Sequence, residues 1–369
     1  MHFKVNKKEF SDAINIVSKA VSINSPLPVL HNIKLSVKEE YVQLTASDGD
    51  ISIETIINDS NVLTIITTGD ILLDGKYLAD MIRKIDSESI DIELMEANLC
   101  MVKGNAVNFE ISGINAQDYP SINFDEPADS FVLDVNTFKE IIFQTTFAAS
   151  DKETKPILTG VNFSCDGKKL NCVASDSYRL AQKEVYIDTE HNFNVTIPAK
   201  NLIDISRILN VEDNIKIALD DKKALFIFDN VLVQTRLIDG LFPEVSRLIP
   251  TTHLYELVID AREILNALDR ASFIKSEGIY IVRLQISKEN IVITSKSDDI
   301  ISQEVISVVS YNGDRFDVSF KGNYLYDAIR SLNALEAKIC FSGDKKPFII
   351  TSNSDDKILQ LVLPIKTYD

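Results

Sequence analysis

The chain has 369 residues, 45% of them apolar and 25% charged, the balance of a soluble globular protein with two or three domains. No apolar run nears the roughly 18 residues that cross a bilayer, which excludes a helical membrane protein. A formal net charge of −17 excludes an ordinary open-faced nucleic-acid binder, which needs a strong positive patch to recruit phosphates.

The opening stretch, MHFKVNKKEFSDAINI, lacks the apolar core of a secretory signal, so a cytoplasmic location is expected. It reads as a short alternating strand followed by a helix with Phe10, Ile14 and Val17 on one stripe. Alternating runs such as YVQLTAS follow, leading into the phrase TASDGDISIE around Asp48. A second helix, GKYLADMIRKI over 75–85, places Leu78, Met81, Ile82 and Ile85 on a packing face and Lys76, Asp80 and Arg83 opposite. Gly104-Asn105 marks a hairpin turn, and NFDEPADS over 123–130 marks a boundary.

The same order then returns. FVLDVNTFKEIIFQTTFAA is a strand and a helix with Phe138, Ile142 and Thr145 in line and Asn136 as expected N-cap. Asp166-Gly167 predicts a hairpin, ASDSYRLA around Asp176 matches the phrase around Asp48, and AKNLIDISRIL over 199–209 repeats the second helix with Lys200, Asp204 and Arg207. LIPTTHL over 248–254 marks the next boundary. The third copy has Asp260 as N-cap, Ile264, Leu268 and Ala271 in stripe, the matching phrase SKSDDIISQE around Asp298, and GNYLYDAIRSL over 322–332 with Asn323, Asp327 and Arg330. The expected fold is α+β: three tandem copies of one domain, 1–125, 126–250 and 251–369, each with antiparallel sheets and two helices on one face.

The polar helix face has an ordinary reading, i,i+3 and i,i+4 ion pairs on a solvated surface, and a functional one, a shared lining repeated three times. A domain of this size is about 35 Å across, so three in a closed triangle leave a hole of only about 5 Å. Six, as a dimer supplies, leave about 35 Å, enough for a DNA duplex. Salt screening beyond about 8 Å lets an acidic exterior coexist with a modest basic lining.

Cys100, Cys165, Cys172 and Cys340 have no CxxC spacing and read as small apolar residues, although Cys165 and Cys172 flank one turn. No phosphate loop, dinucleotide fingerprint, nucleophile elbow or HExxH occurs, so neither an enzyme nor a cofactor is expected. The repeated Asp48, Asp176 and Asp298 should sit a domain apart, too far for acid–base work.

PLPVLHNI, ASDSYRLA, DGLFPEVSRLIP and LVLPI, in this order and at these spacings, resemble the family of bacterial DNA polymerase III beta subunits, the replicative sliding clamps. The resemblance covers essentially the whole chain. It implies a head-to-tail homodimeric ring around duplex DNA, read without regard to sequence and independent of any membrane. It also implies a hydrophobic pocket for short linear peptides of polymerases, a clamp loader and repair proteins.

Carried over by position, that pocket is Leu158, Ser177, Tyr178, Arg179, Leu180, Pro243, Arg247, Leu248, Leu361, Val362, Leu363, Pro364 and Ile365. Its apolar groups would bury peptide anchors, and Arg179 and Arg247 would bond the peptide backbone or acidic flanks. DNA-facing positions are Lys76, Arg83, Lys139, Lys152, Lys155, Lys200, Arg207 and Arg330, with Asn24 where a relative has arginine. Phe109 is expected to meet Phe273 and Ile274 at the dimer seam, with ordinary core roles as the alternative for all three. The tail KTYD either modulates access to the pocket or dangles. The competing function is an acidic peptide-binding scaffold that never encircles DNA.

Overall fold

In the computed structural model, which describes residues 1–22, 25, 27–209 and 214–366, every strand pairing is antiparallel. The chain divides into two compact units, one of Met1–Asn136 with Asp204–Leu237 and the other of Thr137–Ile203 with Ile238–Asp369.

Six α-helices stand among the described residues: α1 Lys7–Val17, α2 Gly75–Lys84, α3 Val135–Thr145, α4 Ala199–Ile208, α5 Ala261–Ala271 and α6 Gly322–Ser331. They fall two to a repeat, as the sequence periodicity implies. Asn6 starts α1 by accepting from Lys8 N at 2.9 Å, Asp74 starts α2 by accepting from Tyr77 N at 2.9 Å, and Asp260 starts α5 by accepting from Glu263 N at 2.7 Å. Asn136, expected as a cap, lies inside α3, because the helix begins at Val135, two residues before the start at Thr137 that such a cap implies.

The first unit holds a five-stranded sheet and an eight-stranded sheet. The larger one runs in order Asp129–Asp134, Asn214–Leu219, Lys223–Phe228, Val231–Arg236, Ile51–Ile57, Val42–Ser47, Asn32–Val37 and Gly69–Asp74. Its central pairing joins the first repeat to the second, with Val233 opposite Ile53. Phe3 and Phe10 meet edge to face at 5.9 Å in the core beneath α1.

The second unit repeats the scheme with a seven-stranded and a four-stranded sheet. Here Arg179–Pro198 pairs with Ile358–Val362, Leu180 standing opposite Leu361, so the second repeat is stitched to the third. Within Gly160–Ser175, Ser164 Oγ donates to the Asn171 carbonyl at 3.3 Å. Seven residues of extended strand would span roughly 23 Å, so the chain reverses at Asp166-Gly167 as the sequence predicts, with Gly167 at φ +64°. Phe316, Phe341 and Phe348 stack in series through the third core, with centroids 5.0 and 5.2 Å apart.

α6 packs beside α5 through a contact that only glycine permits: a Cβ on Gly322 would stand 2.1 Å from Tyr280 Cε1. The Tyr280 hydroxyl is fixed there by donating to the Leu268 carbonyl at 2.7 Å. No helix among the described residues is long and apolar enough to cross a membrane.

Candidate functional site

The turn after Ser175 is held by its own side chains. Asp176 Oδ1 accepts from Tyr178 N at 2.8 Å and Arg179 N at 2.9 Å, while Ser175 Oγ donates to the Arg179 carbonyl at 2.8 Å and accepts from Ser177 N. Ser177 is thereby held at φ +77°, a conformation non-glycine residues seldom adopt. Tyr178 follows, turned out to solvent and 57% exposed.

The strand leaving this turn buries Leu180 beside Val173 and Leu361. Phe242, Val245, Ile249 and Leu359 pack on these three, partly buried. Around that cluster Leu241, Leu248 and Pro243 stay in water, Leu241 at 91% exposed. Leu158 is buried in the single turn Pro156–Thr159, and the Cδ1 of neighbouring Ile157 lies 4.0 Å from where a Cβ on Gly240 would be, so this turn adjoins the 239–250 segment. The C-terminal strand supplies buried Leu361 and Val362, the latter belonging to the third core. Beyond it Leu363 N donates to the Tyr178 carbonyl at 2.9 Å and Ile365 N to the Ser319 carbonyl at 2.7 Å, leaving Leu363, Pro364 and Ile365 half-buried. Thr367 to Asp369, most of the tail whose role was left open, lie outside the described residues.

The two arginines expected at the pocket differ. Arg179 is only 12% exposed at its side chain, with Nε 3.1 Å from Asp176 Oδ2 and Nη1 2.7 Å from Asp327 Oδ2 on α6. Its guanidinium also lies 4.4 Å over the Tyr324 ring and 5.5 Å over Phe147. It is therefore a clamp between the turn and α6, with its charge already met. Arg247 is 84% exposed and faces Glu244 at 3.4 Å. Behind the same strand, Lys183 is 6% exposed and joins Asp355 and Glu140. Burial pushes the Asp355 carboxyl up, but the hydrogen bond from Lys183 and the Lys357 N–H outweigh it and hold the group below its ordinary range.

On the repeated helices the packing faces are as the spacing predicts: Leu78 and Ile82, Leu202 and Ile205, and Leu325 and Ile329 are buried, while Met81 is half-buried. Lys76, Arg83, Lys200, Arg207 and Arg330 are exposed, as are Lys152 and Lys155 in the loop after α3; Lys139 is half-buried on α3. Arg83 pairs with Asp80 at 2.5 Å and Arg207 with Asp204 at 3.3 Å, the ordinary i,i+3 arrangement. The third helix departs from it, since Asp327 turns to Arg179 and Arg330 lies 6.0 Å over the Phe143 ring. Asn24 lies outside the described residues.

Of the residues expected at the seam, Phe109 is half-buried on the edge strand Asn108–Ser112 and Phe273 is 67% exposed after α5. Ile274 is 2% exposed and belongs to its own core, so it presents no side chain outward. All four cysteines are buried thiols outside any disulfide; burial pushes Cys100 up to about 11 and Cys172 higher still. Sequence reasoning missed Val173, Phe242, Val245 and Ile249, although the spacing of the last three in LFPEVSRLI carries an apolar stripe.

Family profiles described as the N-terminal, central and C-terminal domains of the DNA polymerase III beta subunit match residues 1–123, 132–244 and 246–366. The chain is 34% identical over 380 residues to the beta sliding clamp of Bacillus subtilis and 33% identical over 376 residues to that of Staphylococcus aureus, covering 100% of each chain in both comparisons. Its fold is similar to the crystal structure of the DNA polymerase sliding clamp from Bacillus subtilis, with a TM-score of 0.94, 34% identity and full coverage of both chains. The beta subunit from the DNA polymerase of Streptococcus pyogenes gives a TM-score of 0.93 at 28% identity, again with full coverage. With three clamp domains in tandem along its whole length, the chain belongs to the DNA polymerase III beta subunit family, the bacterial sliding clamps.

Proposed function

We propose that two copies of this chain close head to tail into a six-domain ring that encircles duplex DNA and tethers polymerases, a clamp loader and repair proteins during replication in the cytoplasm. The observation that carries the reading is full-length similarity to sliding clamps at 34% identity, together with exposed cations at matching positions of α2 and α4. In this reading the domains are 1–125, 126–250 and 251–369, and the chain performs no catalysis. Lys76, Arg83, Lys139, Lys152, Lys155, Lys200, Arg207 and Arg330 face the DNA. Each exposed cation that already has an aspartate three residues away contributes a weak phosphate contact, which suits sliding.

The seam forms between the edge strands Asn108–Ser112 and Ile301–Ser307, which end their sheets with one ladder side open. Phe109, Phe273, Ile301 and Val305 supply its apolar contact, and Val305 is 58% exposed without a partner chain. Ile274 supports Phe273 from beneath.

The partner site is the cluster of Val173, Leu180 and Leu361, floored by strands and rimmed by Tyr178, Leu241 and Leu248. Buried apolar walls with exposed apolar rims suit the side chains of a short extended peptide. Light scattering at micromolar concentration and physiological salt tests the ring. A mass near twice 41.3 kDa is expected; a persistent monomer would sink encirclement and leave a peptide-binding scaffold.

A further inference from the structure

The three helices that repeat one polar face do not repeat one charge pattern. At the matching positions α2 has Lys76 and Arg83, α4 has Lys200 and Arg207, and α6 has Asn323 and Arg330. Arg83 is matched by Asp80 at 2.5 Å and Arg207 by Asp204 at 3.3 Å. The same i,i+3 spacing would pair Arg330 with Asp327. Instead Asp327 Oδ2 accepts from Arg179 Nη1 at 2.7 Å, and among the described residues no carboxylate pairs with Arg330.

Burial decides which arginine holds the shared carboxylate. The Arg179 side chain is 12% exposed, whereas Arg330 stands in water. Attraction between unit charges near a protein surface is about four times that in bulk water, so the enclosed guanidinium prevails over the solvated one. Arg330 lies 6.0 Å over the Phe143 ring, which is itself 44% exposed. A ring face restrains a guanidinium and leaves its N–H edge open, so less ordering is needed when an anion arrives.

We infer that Arg330 is the strongest phosphate contact of the three matching arginines, and that Arg179 makes it so by holding Asp327 away from it. The inference rests on the encirclement reading above. Arg83 and Arg207 must give up a carboxylate to take a phosphate, and Arg330 gives up none. The diversion also offsets a local loss, since α6 lacks the lysine that α2 and α4 carry. Arg179 is thus a positioning residue, acting on DNA only through Asp327.

The test is fluorescence anisotropy of a labelled duplex of about 30 base pairs with the full-length chain, across about 20–150 mM salt. Arg330→Gln should weaken binding about five-fold at the lowest salt and lower the salt slope by about one per chain. Arg83→Gln and Arg207→Gln should each cost less than about two-fold, and Arg330→Lys should keep the slope. Arg179→Met should reproduce most of the Arg330→Gln loss, because Asp327 is then released to Arg330. Adding Asp327→Asn to Arg179→Met should restore binding to within about two-fold of the parent, a rescue that general damage to the fold would not give. Equal losses at the three arginines, full binding in Arg179→Met, or no rescue overturns the inference and leaves the ring standing. Absence of salt-dependent duplex binding by the unaltered chain overturns the encirclement reading and this inference with it.

Discussion

The first and second repeats use the same turn to different ends. Asp48 Oδ1 accepts from Asp50 N and Ile51 N, as Asp176 Oδ1 does from Tyr178 N and Arg179 N. After the earlier turn comes Gly49 at φ +99° and a solvated Asp50; after the later one come Ser177, an outward Tyr178 and a clamped Arg179. The segments that close each repeat differ in the same sense. Tyr119 in DYP is 7% exposed and packs on Leu30 and Leu72, whereas Phe242 in LFP is half-buried and its neighbour Leu241 is almost wholly in water. A duplicated turn and closing segment thus cover the apolar surface in one copy and leave it partly open in the other.

That contrast can be broken most forcefully at its two aromatics. Tyr119→Ala should cost about 3 kcal/mol, as for truncation of a large core side chain, and Phe242→Ala only about 1 kcal/mol, both read from urea midpoints. Equal losses would show that the second linker is as closed as the first. Next come the helix aspartates. Asp327→Asn should destabilise by about 2 kcal/mol because it strips a partner from an enclosed guanidinium, while Asp80→Asn, on a solvated pair, should move stability by less than about 0.5 kcal/mol.

Leu248→Ser sharpens the functional side of the comparison. It should leave the urea midpoint within about 0.5 kcal/mol of the parent and weaken peptide binding about ten-fold by fluorescence anisotropy. The smallest effect concerns acid. Asp355 is held below its ordinary pKa of 3.8, so its contribution is fully present above that value and is lost as pH falls through the lower folded value. Asp355→Asn should cost about 1 kcal/mol at neutral pH and flatten the decline of stability below about pH 4. An unchanged acid limb would remove Lys183–Asp355 from the account.

Local pattern carried much of the fold. The return of the second helix at 75–85, 199–209 and 322–332, the buried faces of α2, α4 and α6, and the cap at Asp260 follow from side-chain spacing and capping chemistry, which act within a few residues. What stayed hidden depends on remote partners. Nothing near Arg179 announces Asp327, 148 positions away, and nothing in Ile51–Ile57 announces Val231–Arg236. Ile274 and Phe273 look alike in sequence, and only the packing after α5 sends one inward and the other out. Asn136 failed as a cap for the opposite reason, since helix starts shift by a residue or two without any long-range cause.

The stitching of neighbouring repeats has a consequence for how the chain is made. Ile53 waits for a partner, Val233, that lies 180 positions later, and Arg179 waits a similar span for Val362. At about 5–20 residues per second, a ribosome leaves each of these strand edges open for about 10–40 s. A nascent repeat can bury its helices at once but must carry a bare, β-competent flank until its successor emerges, so the interval of synthesis is when this protein most needs chaperone cover.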